Sequence, residues 1–307
     1  MPIDNLNFGY ACICNCLRKK NIYSSRTLRL ATLEQKGIEY AKELAIKNLN
    51  DLLLILKWNK ENNIFFFRMS SDMFPFATYS GYSYVLDFVD DKLKEIGNYA
   101  KENNMRLTMH PSQFNVLSSS DEKVVANTFL DLNHHCDILD RMGLDQNSVI
   151  IIHGGGVYGN KKKALEILKN NILRLPQNTR DRLVLENCEM SYTIEDLLPI
   201  SESIHVPLVI DYHHDNINPS SQNIEYYHDR VFDVWKKRNI KPKVHVSNSI
   251  PGITNENLRA ERRKHSDYIS FIHEPLLSIS FPIDVMLECK MKEEALLLFR
   301  DGFVCTD

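Results

Sequence analysis

The sequence predicts an α/β protein built as a closed (β/α)₈ TIM barrel, with a metal site at the C-terminal face of its strands. Three observations predict it. Short apolar runs recur along the chain with amphipathic helical stretches between them, the pattern of repeated strand–helix units feeding a parallel sheet. About eight such units can be counted, and the 307-residue length suits one barrel of roughly 250 residues with extensions. Strand after strand also ends in a histidine or a carboxylate, and in a barrel those ends converge on one face. No low-complexity tract or Gly/Ser linker interrupts the chain, so residues 1–307 read as a single domain.

Taken in order, the expected strands are Asn7–Cys12, Ile64–Ser70, Arg106–His110, Ser148–His153, Leu183–Glu186, Pro207–Tyr212, Lys243–Ser247 and Ile283–Cys289. Helical periodicity lies between them, for example over Tyr84–Glu102, Glu122–Met142 and Ile224–Lys237. Residues 13–60 read as a loop with one or two long helices.

Composition narrows the classes. The chain is 43% hydrophobic and 25% charged, ordinary for a folded globular protein. A chain of this size buries most of its surface without a disulfide or an oligomer, and a monomer is expected. Seven scattered cysteines and no signal-peptide pattern point to reduced thiols inside a cell, cytoplasmic and nucleoid-associated by default and nuclear if the source is eukaryotic. No run approaches the ~20 apolar residues of a membrane span; the strongest, Asp51 to Lys57, is bounded by charge. The net charge of −3 hides basic clusters at Arg18-Lys19-Lys20, Lys161-Lys162-Lys163, Lys236-Lys237-Arg238 and Arg262-Arg263-Lys264, so charge alone leaves a nucleic-acid partner open.

The strand ends carry the chemistry. His110, His153, Glu186, Asp211, His245 and Glu288 close six of the apolar runs. Buried unpaired charges cost several kcal/mol each, so a ring of them needs cations to hold it. Imidazoles mixed with carboxylates suit Zn²⁺, Mn²⁺ or Fe²⁺. The donors are too many for one ion, and a central carboxylate such as Glu186 can bridge two. Paired ions about 3.5–4 Å apart are typical of phosphoryl-ester cleavage, but aldose isomerases also join a barrel to two metals. Period-two alternation puts Lys243, His245 and Ser247 on one face. An ammonium aimed into a metal cluster is electrostatically wrong, so Lys243 must deprotonate, move aside or become a carbamate that ligates as an anion. The run His153-Gly-Gly-Gly156 has the look of a phosphate cradle without a Walker pattern. Cys12, Cys14 and Cys16 alternate without the two-residue gap of a zinc knuckle.

In order and spacing, a set of short motifs spread over nearly the whole chain resembles the UV damage endonucleases, relatives of endonuclease IV in the AP-endonuclease barrel superfamily. They include Phe67-Arg-Met-Ser-Ser71, Phe74-Pro-Phe-Ala77, Leu107-Thr-Met-His-Pro-Ser-Gln-Phe-Asn115, Ile152-His-Gly-Gly-Gly-Val-Tyr-Gly159, Arg182-Leu-Val-Leu-Glu-Asn187, Asp211-Tyr-His-His214, Pro242-Lys-Val-His245, His265-Ser-Asp-Tyr268 and Met286-Leu-Glu-Cys-Lys290. The resemblance implies two or three divalent ions, Mn²⁺ first, with Mg²⁺ or Zn²⁺ as alternatives. It places them on His110, His153, Glu186, Asp211, His214, His245, His265 and Glu288, with Lys243 as a further ligand if carboxylated. Glu186, Asp211, His245, Glu288 and Lys243 are the implied catalytic set. Asp211, His245 and Glu288 would hold one ion, and His214, His265 and Lys243 a third. His213 is expected to point elsewhere.

The implied partner is damaged double-stranded DNA, with Gln113 and Phe114 as the probe entering the helix and Tyr10 and Asn15 meeting the lesion. The implied reaction is hydrolysis of the phosphodiester 5′ to cyclobutane dimers and 6-4 photoproducts. Two departures stand out. Tyr79 follows Phe74-Pro-Phe-Ala-Thr78 where the family has a histidine, and Cys188-Glu189 stands where an acidic pair is usual. Three rival readings remain at this stage: an AP endonuclease, a sugar isomerase, and a damage binder that no longer cuts.

Overall fold

The computed structural model describes residues 5–301. Eight parallel strands close on themselves in chain order: β1 Leu6–Ala11, β2 Phe66–Met69, β3 Arg106–Met109, β4 Ile150–His153, β5 Leu183–Glu186, β6 Leu208–Asp211, β7 Lys243–Val246 and β8 Ile283–Leu287. The seam is β1 against β8, with Leu6 opposite Ile283 and Tyr10 opposite Leu287. All eight expected strands form, with ends shifted by no more than two residues.

The principal helices are α1 Ile38–Glu61, α2 Asp90–Glu102, α3 Glu122–Arg141, α4 Lys161–Arg174, α5 Ile194–Ile204, α6 Glu225–Lys237 and α7 Lys292–Asp301. Each lays an apolar stripe on the barrel; α1 buries Ala41, Ala45, Leu49, Leu52 and Leu56 at three-to-four-residue spacing. The N-terminal segment holds a short turn, Asn15–Arg18, and a short helix, Leu30–Lys36, before α1. The helix expected to begin at Tyr84 starts later, because Asp87–Val89 is a 3₁₀ turn and Asp90 and Asp91 occupy the first α-helical turn, where negative charge suits the helix N-terminus. Among the described residues, no helix is long and apolar enough to cross a membrane.

Alternation along the strands sorts side chains between the barrel interior and the helix layer. On β1, Phe8 packs on Phe299 of α7 with ring centroids 5.4 Å apart, so the even positions face outward. Asn7 and Ala11 face inward: Asn7 donates to Asp284 Oδ1 at 2.7 Å, and Ala11 packs with Phe66 and Met286. The floor of the barrel is an ion cluster in which Arg106 and Lys241 hold the two oxygens of buried Asp284 at 2.7 and 2.5 Å. Burial pushes the Asp284 carboxyl up, but those two cations outweigh it and hold it below the ordinary range.

Gly9 marks a close approach between β1 and β2. A Cβ there would lie 2.2 Å from the carbonyl oxygen of Phe66, a backbone atom that cannot turn aside. Gly9→Ala is therefore expected to destabilise the fold by about 1–3 kcal/mol through overpacking. Urea unfolding checks this, and an unchanged midpoint would show that β1 and β2 separate easily.

Candidate metal centre

The mouth of the barrel gathers the strand-end donors into three overlapping triads: His110, His153 and Glu186; Glu186, Asp211 and His214; and Asp211, His245 and Glu288. Within each triad the ligand atoms lie within 4.8 Å of one another. Glu186 belongs to the first two triads and Asp211 to the last two, so each carboxylate is placed to bridge.

Local structure fixes these positions. Asp211 ends β6 and caps the helical turn Tyr212–Ile217, its Oδ1 accepting the His214 N–H at 2.7 Å. That cap leaves Oδ2 buried with no hydrogen-bond partner. Asn187, next after Glu186, exchanges two hydrogen bonds with the Asp211 backbone at 2.8 and 2.9 Å, which ties the ends of β5 and β6 together. Three of the histidines turn one ring nitrogen to a backbone carbonyl. His110 Nδ1 sits 3.0 Å from the Pro111 carbonyl oxygen, His214 Nδ1 3.0 Å from that of Asn187, and His265 Nδ1 2.6 Å from that of Glu288. A carbonyl accepts only a proton on that nitrogen; at His110 this frees Nε2 as a lone-pair donor, the usual support for a metal-bound histidine, whereas His214 also turns Nδ1 toward Glu186 and Asp211 at 3.4 and 3.6 Å.

The donor set fits cations on physical grounds. His110 Nε2 faces Glu186 Oε2 at 3.0 Å, and with Nδ1 donating to Pro111 that contact sets a lone pair against a carboxylate. His153 Nδ1 is likewise buried without a partner. Burial holds His110, His153 and His245 below the usual imidazole range, so protons do not fill these gaps. Burial pushes Glu186 up, and His245 and His153 pull it down only to the extent that one of those rings carries a proton. Burial likewise pushes Glu288 up, and Arg68 followed by His245 holds it well below the carboxylate range. Asp211 is raised by burial. His214 runs opposite to its neighbours: burial lowers it, but Asp211, Glu186 and Glu189 together push it up to about 9.

Not every expected residue falls where it was expected. Lys243 is fully buried, and burial, reinforced by Arg68 and Arg106, holds its amine well below the lysine range. Its Nζ lies 2.9 Å from His245 Nε2, beneath the third triad, and not beside His214. The third grouping is thus redrawn: His214 joins Glu186 and Asp211, while His265 stands behind Glu288 with its ring edge-on to His213 at 5.4 Å. His213 is buried, its Nε2 has no partner, and its pKa is pushed down to about 3, first by burial and then by His265.

Tyr10 is a correction. It lies on the outward parity of β1, fully buried, with its ring on Phe67 and its hydroxyl donating to Asn59 Oδ1 at 2.6 Å, so it does not face a ligand at the mouth. Asn15, half-buried, opens the turn beyond β1. Gln113 and Phe114 are exposed in the loop after β3, Phe114 to 79%. Tyr79 belongs to no triad and is 47% exposed. The glycine run reads as packing: a Cβ on Gly154 would meet the Tyr192 ring at 2.6 Å, and Gly155 sits at φ +91°. Cys16 comes within ligand reach of Glu293 and Glu294, but Glu293 accepts the Cys16 N–H at 2.7 Å and so ties the Asn15–Arg18 turn to α7.

Two residues of the site escaped the sequence reading. Arg68, inward-facing on β2, pairs with Glu288 Oε1. An arginine at the centre of an apolar strand was the available signal, since its charge has to meet a carboxylate inside the barrel. Glu189 lies 3.7 Å from His214 Nε2 and 2.5 Å from Arg263, standing in for the acidic pair expected there.

A closed parallel barrel with carboxylate–imidazole triads at its C-terminal mouth defines the class, a barrel enzyme with side chains grouped as candidate metal ligands. The family model described as UV-endonuclease UvdE matches residues 6–303, and the chain belongs to that family. The putative UV-damage endonuclease of Acanthamoeba polyphaga mimivirus is 39% identical over 302 residues, which cover 95% of this chain and 89% of the relative. The UV-damage endonuclease of Schizosaccharomyces pombe is 37% identical over 303 residues; the match covers 94% of this chain but 49% of the relative, so this chain spans about half its length. The crystal structure of SacUVDE superposes with a TM-score of 0.83 at 30% identity, covering 95% of this chain and 96% of that one.

The raised His214 pKa gives a pH prediction for protein stripped with EDTA. Its folded value of about 9 lies above the ordinary 6.5, so the stabilisation from its charge is complete below about pH 6.5 and is lost as pH rises through 9. Thermal midpoints across that window should fall in the stripped protein and fall less in His214→Gln. Divalent ions should reverse the trend, because they bind the neutral imidazole. Equal slopes in the two stripped proteins would refute the assignment.

Proposed function

We propose that this chain nicks duplex DNA immediately 5′ to ultraviolet photoproducts, cyclobutane pyrimidine dimers and 6-4 adducts, as a UV damage endonuclease using divalent ions at the barrel mouth. The observation that carries the reading is the row of three triads bridged by Glu186 and Asp211, in a chain whose relatives are named for this activity. Mixed imidazole and carboxylate donors favour Mn²⁺, with Mg²⁺ or Zn²⁺ as alternatives. When bound, such ions lower the pKa of a water and neutralise charge on the phosphodiester.

The chain's own residues do the rest. Glu186 and Asp211, each shared by two triads, would hold neighbouring ions. His245 and Glu288 complete the innermost set, and Lys243 holds the far nitrogen of His245. His110 and His153 offer imidazoles to the outer set, with His214 between them and Glu189. His265 stiffens the backbone at Glu288. On the substrate side, a photoproduct weakens pairing and stacking, so everting the fused bases costs less than in intact DNA. Phe114, exposed beside the mouth, enters the gap with Gln113 beside it, and Asn15 meets the lesion. Arg262 and Arg263 line the rim for phosphates. The products are a 3′-hydroxyl and a 5′-phosphate.

The test is an end-labelled duplex with one cyclobutane dimer, incubated with Mn²⁺ or EDTA beside an undamaged control. A metal-dependent nick 5′ to the dimer, absent from the control, is expected. Cutting only at abasic sites would turn the assignment to an AP endonuclease. Glu288→Gln should retain the fold by circular dichroism and lose cleavage by at least a hundredfold, of the order seen when a charge-stabilising group is removed from an active site. Undiminished nicking at saturating Mn²⁺ would remove Glu288 from the machinery. Replacing Gln113 and Phe114 together by alanine should reduce the preference for damaged over intact duplex, measured as a ratio of dissociation constants; a constant ratio would dismiss them as the probe.

A further inference from the structure

The turn that follows β1 and the helix α7 come from opposite ends of the chain and meet at the barrel seam, where β1 pairs with β8. At their junction Cys16 Sγ and the carboxylates of Glu293 and Glu294 offer ligand atoms that all lie within 4.8 Å of one another. None of the three residues belongs to a triad of the mouth. Glu293 is fully buried and Glu294 is 5% exposed. The Glu293 carboxylate is only half used: Oε1 accepts the Cys16 N–H at 2.7 Å, while Oε2 is buried with no hydrogen-bond partner. Glu294 Oε1 lies 3.9 Å from Cys16 Sγ and 3.5 Å from Lys19 Nζ, whose side chain is 57% exposed. A second thiol, Cys14, is fully buried close by; burial pushes it up, and the charge of Glu293 adds to that.

We propose that Cys16, Glu293 and Glu294 form a second metal site, which takes one thiophilic divalent ion of the zinc class and ties the turn after β1 to α7. A cap on the Cys16 N–H accounts for one oxygen of Glu293. It accounts neither for the second oxygen nor for another buried carboxylate set against a thiol. Two carboxylates withdrawn from water need positive charge close at hand, and a largely solvated lysine supplies little of it. Burial raises Glu293, so a proton is the answer available without an ion. A sulfur donor beside carboxylates selects Zn²⁺ over the harder Mg²⁺, whereas the mouth triads contain imidazoles and carboxylates and no sulfur. On binding, Cys16 releases its thiol proton to solvent and its sulfur donates a lone pair to the ion, with no change of oxidation state. The clamp would join side chains 277 residues apart, at the seam where the first and last strands close the barrel. It does not depend on the substrate assigned to the mouth.

The experiment loads the reduced full chain with Co²⁺, and separately with Zn²⁺, for the wild type, Cys16→Ser, Cys12→Ser and Glu294→Gln. Thiolate bound to Co²⁺ gives a near-ultraviolet charge-transfer band that oxygen and nitrogen ligands do not give. Wild type and Cys12→Ser should show the band, and Cys16→Ser should lose it. Glu294→Gln should need at least about tenfold more Co²⁺ to reach it, the loss seen even for groups that only support a ligand. Zn²⁺ bound per chain should fall by one in Cys16→Ser, and Zn²⁺ should raise the thermal midpoint of the wild type more than that of Cys16→Ser. Absence of the band from the wild type would overturn the proposal without recourse to any variant. A band that survives Cys16→Ser would overturn it too, and its loss in Cys12→Ser would put the sulfur ligand next to the Met69 carbonyl instead. Because the readout is sulfur ligation and not nicking, failure of the damaged-duplex reading would leave this site standing.

Discussion

Three carboxylates, Glu186, Asp211 and Glu288, meet at the mouth of a barrel where Glu186 and Asp211 have essentially no contact with solvent. Holding that much negative charge in a poorly solvated place is the constraint from which the rest of the architecture follows. Without ions, the chain has two countercharges at hand: Arg68 against Glu288, and a protonated His214 against Asp211, Glu186 and Glu189. Burial shifts His110, His153, His245 and Lys243 toward their neutral forms. Two countercharges fall short of three carboxylates, and divalent ions would supply the positive charge that is missing. The same rule shapes the floor, where Asp284 is matched by Arg106 and Lys241 and no carboxylate is shared. The floor is satisfied within the protein; the mouth is left with Asp211 Oδ2 and His153 Nδ1 unanswered.

Much of this was legible in the sequence because strand parity and strand ends are strong signals. Eight apolar runs became eight strands, and the residue types closing them became the triads. What stayed illegible depends on which strand end approaches which. His214 was expected beside His265, but the cap by Asp211 turns its ring toward Glu186. Lys243 was expected as a ligand of the third ion, but two residues along a strand lead one layer deeper into a barrel, and it lies under His245. Tyr10 fails for a reason that was readable: with Asn7 and Ala11 facing inward, parity sends Tyr10 to the helix layer, and the carried-over role ignored that. Arg68 was missed because attention to strand ends passed over a charge in the middle of one.

The loops divide the labour differently. The segment after β4 is packed against Tyr192 and Ser118, with both hydroxyls donating to the Gly156 carbonyl, so it buttresses the site instead of cradling a ligand. The loop after β3 does the opposite, leaving Gln113 and Phe114 in solvent a few residues from His110. A rigid ring of donors beside a projecting aromatic is the arrangement needed to act on a duplex that deforms more readily than the protein does.

Lys243 shows how deep this logic runs. His245 Nδ1 lies 3.0 Å from Glu186 and 3.3 Å from Glu288, so Nδ1 is the nitrogen turned toward the donors and must be bare to bind an ion. The ring proton then sits on Nε2 and needs an acceptor, which an ammonium 2.9 Å away cannot be. A neutral amine can accept it, and so can the oxygen of a carbamate. Burial and the neighbouring arginines Arg68 and Arg106 drive Lys243 toward the uncharged state that both alternatives require. A neutral Lys243 is therefore placed to accept the Nε2 proton of His245, with Arg68 and Arg106 disfavouring its ammonium form.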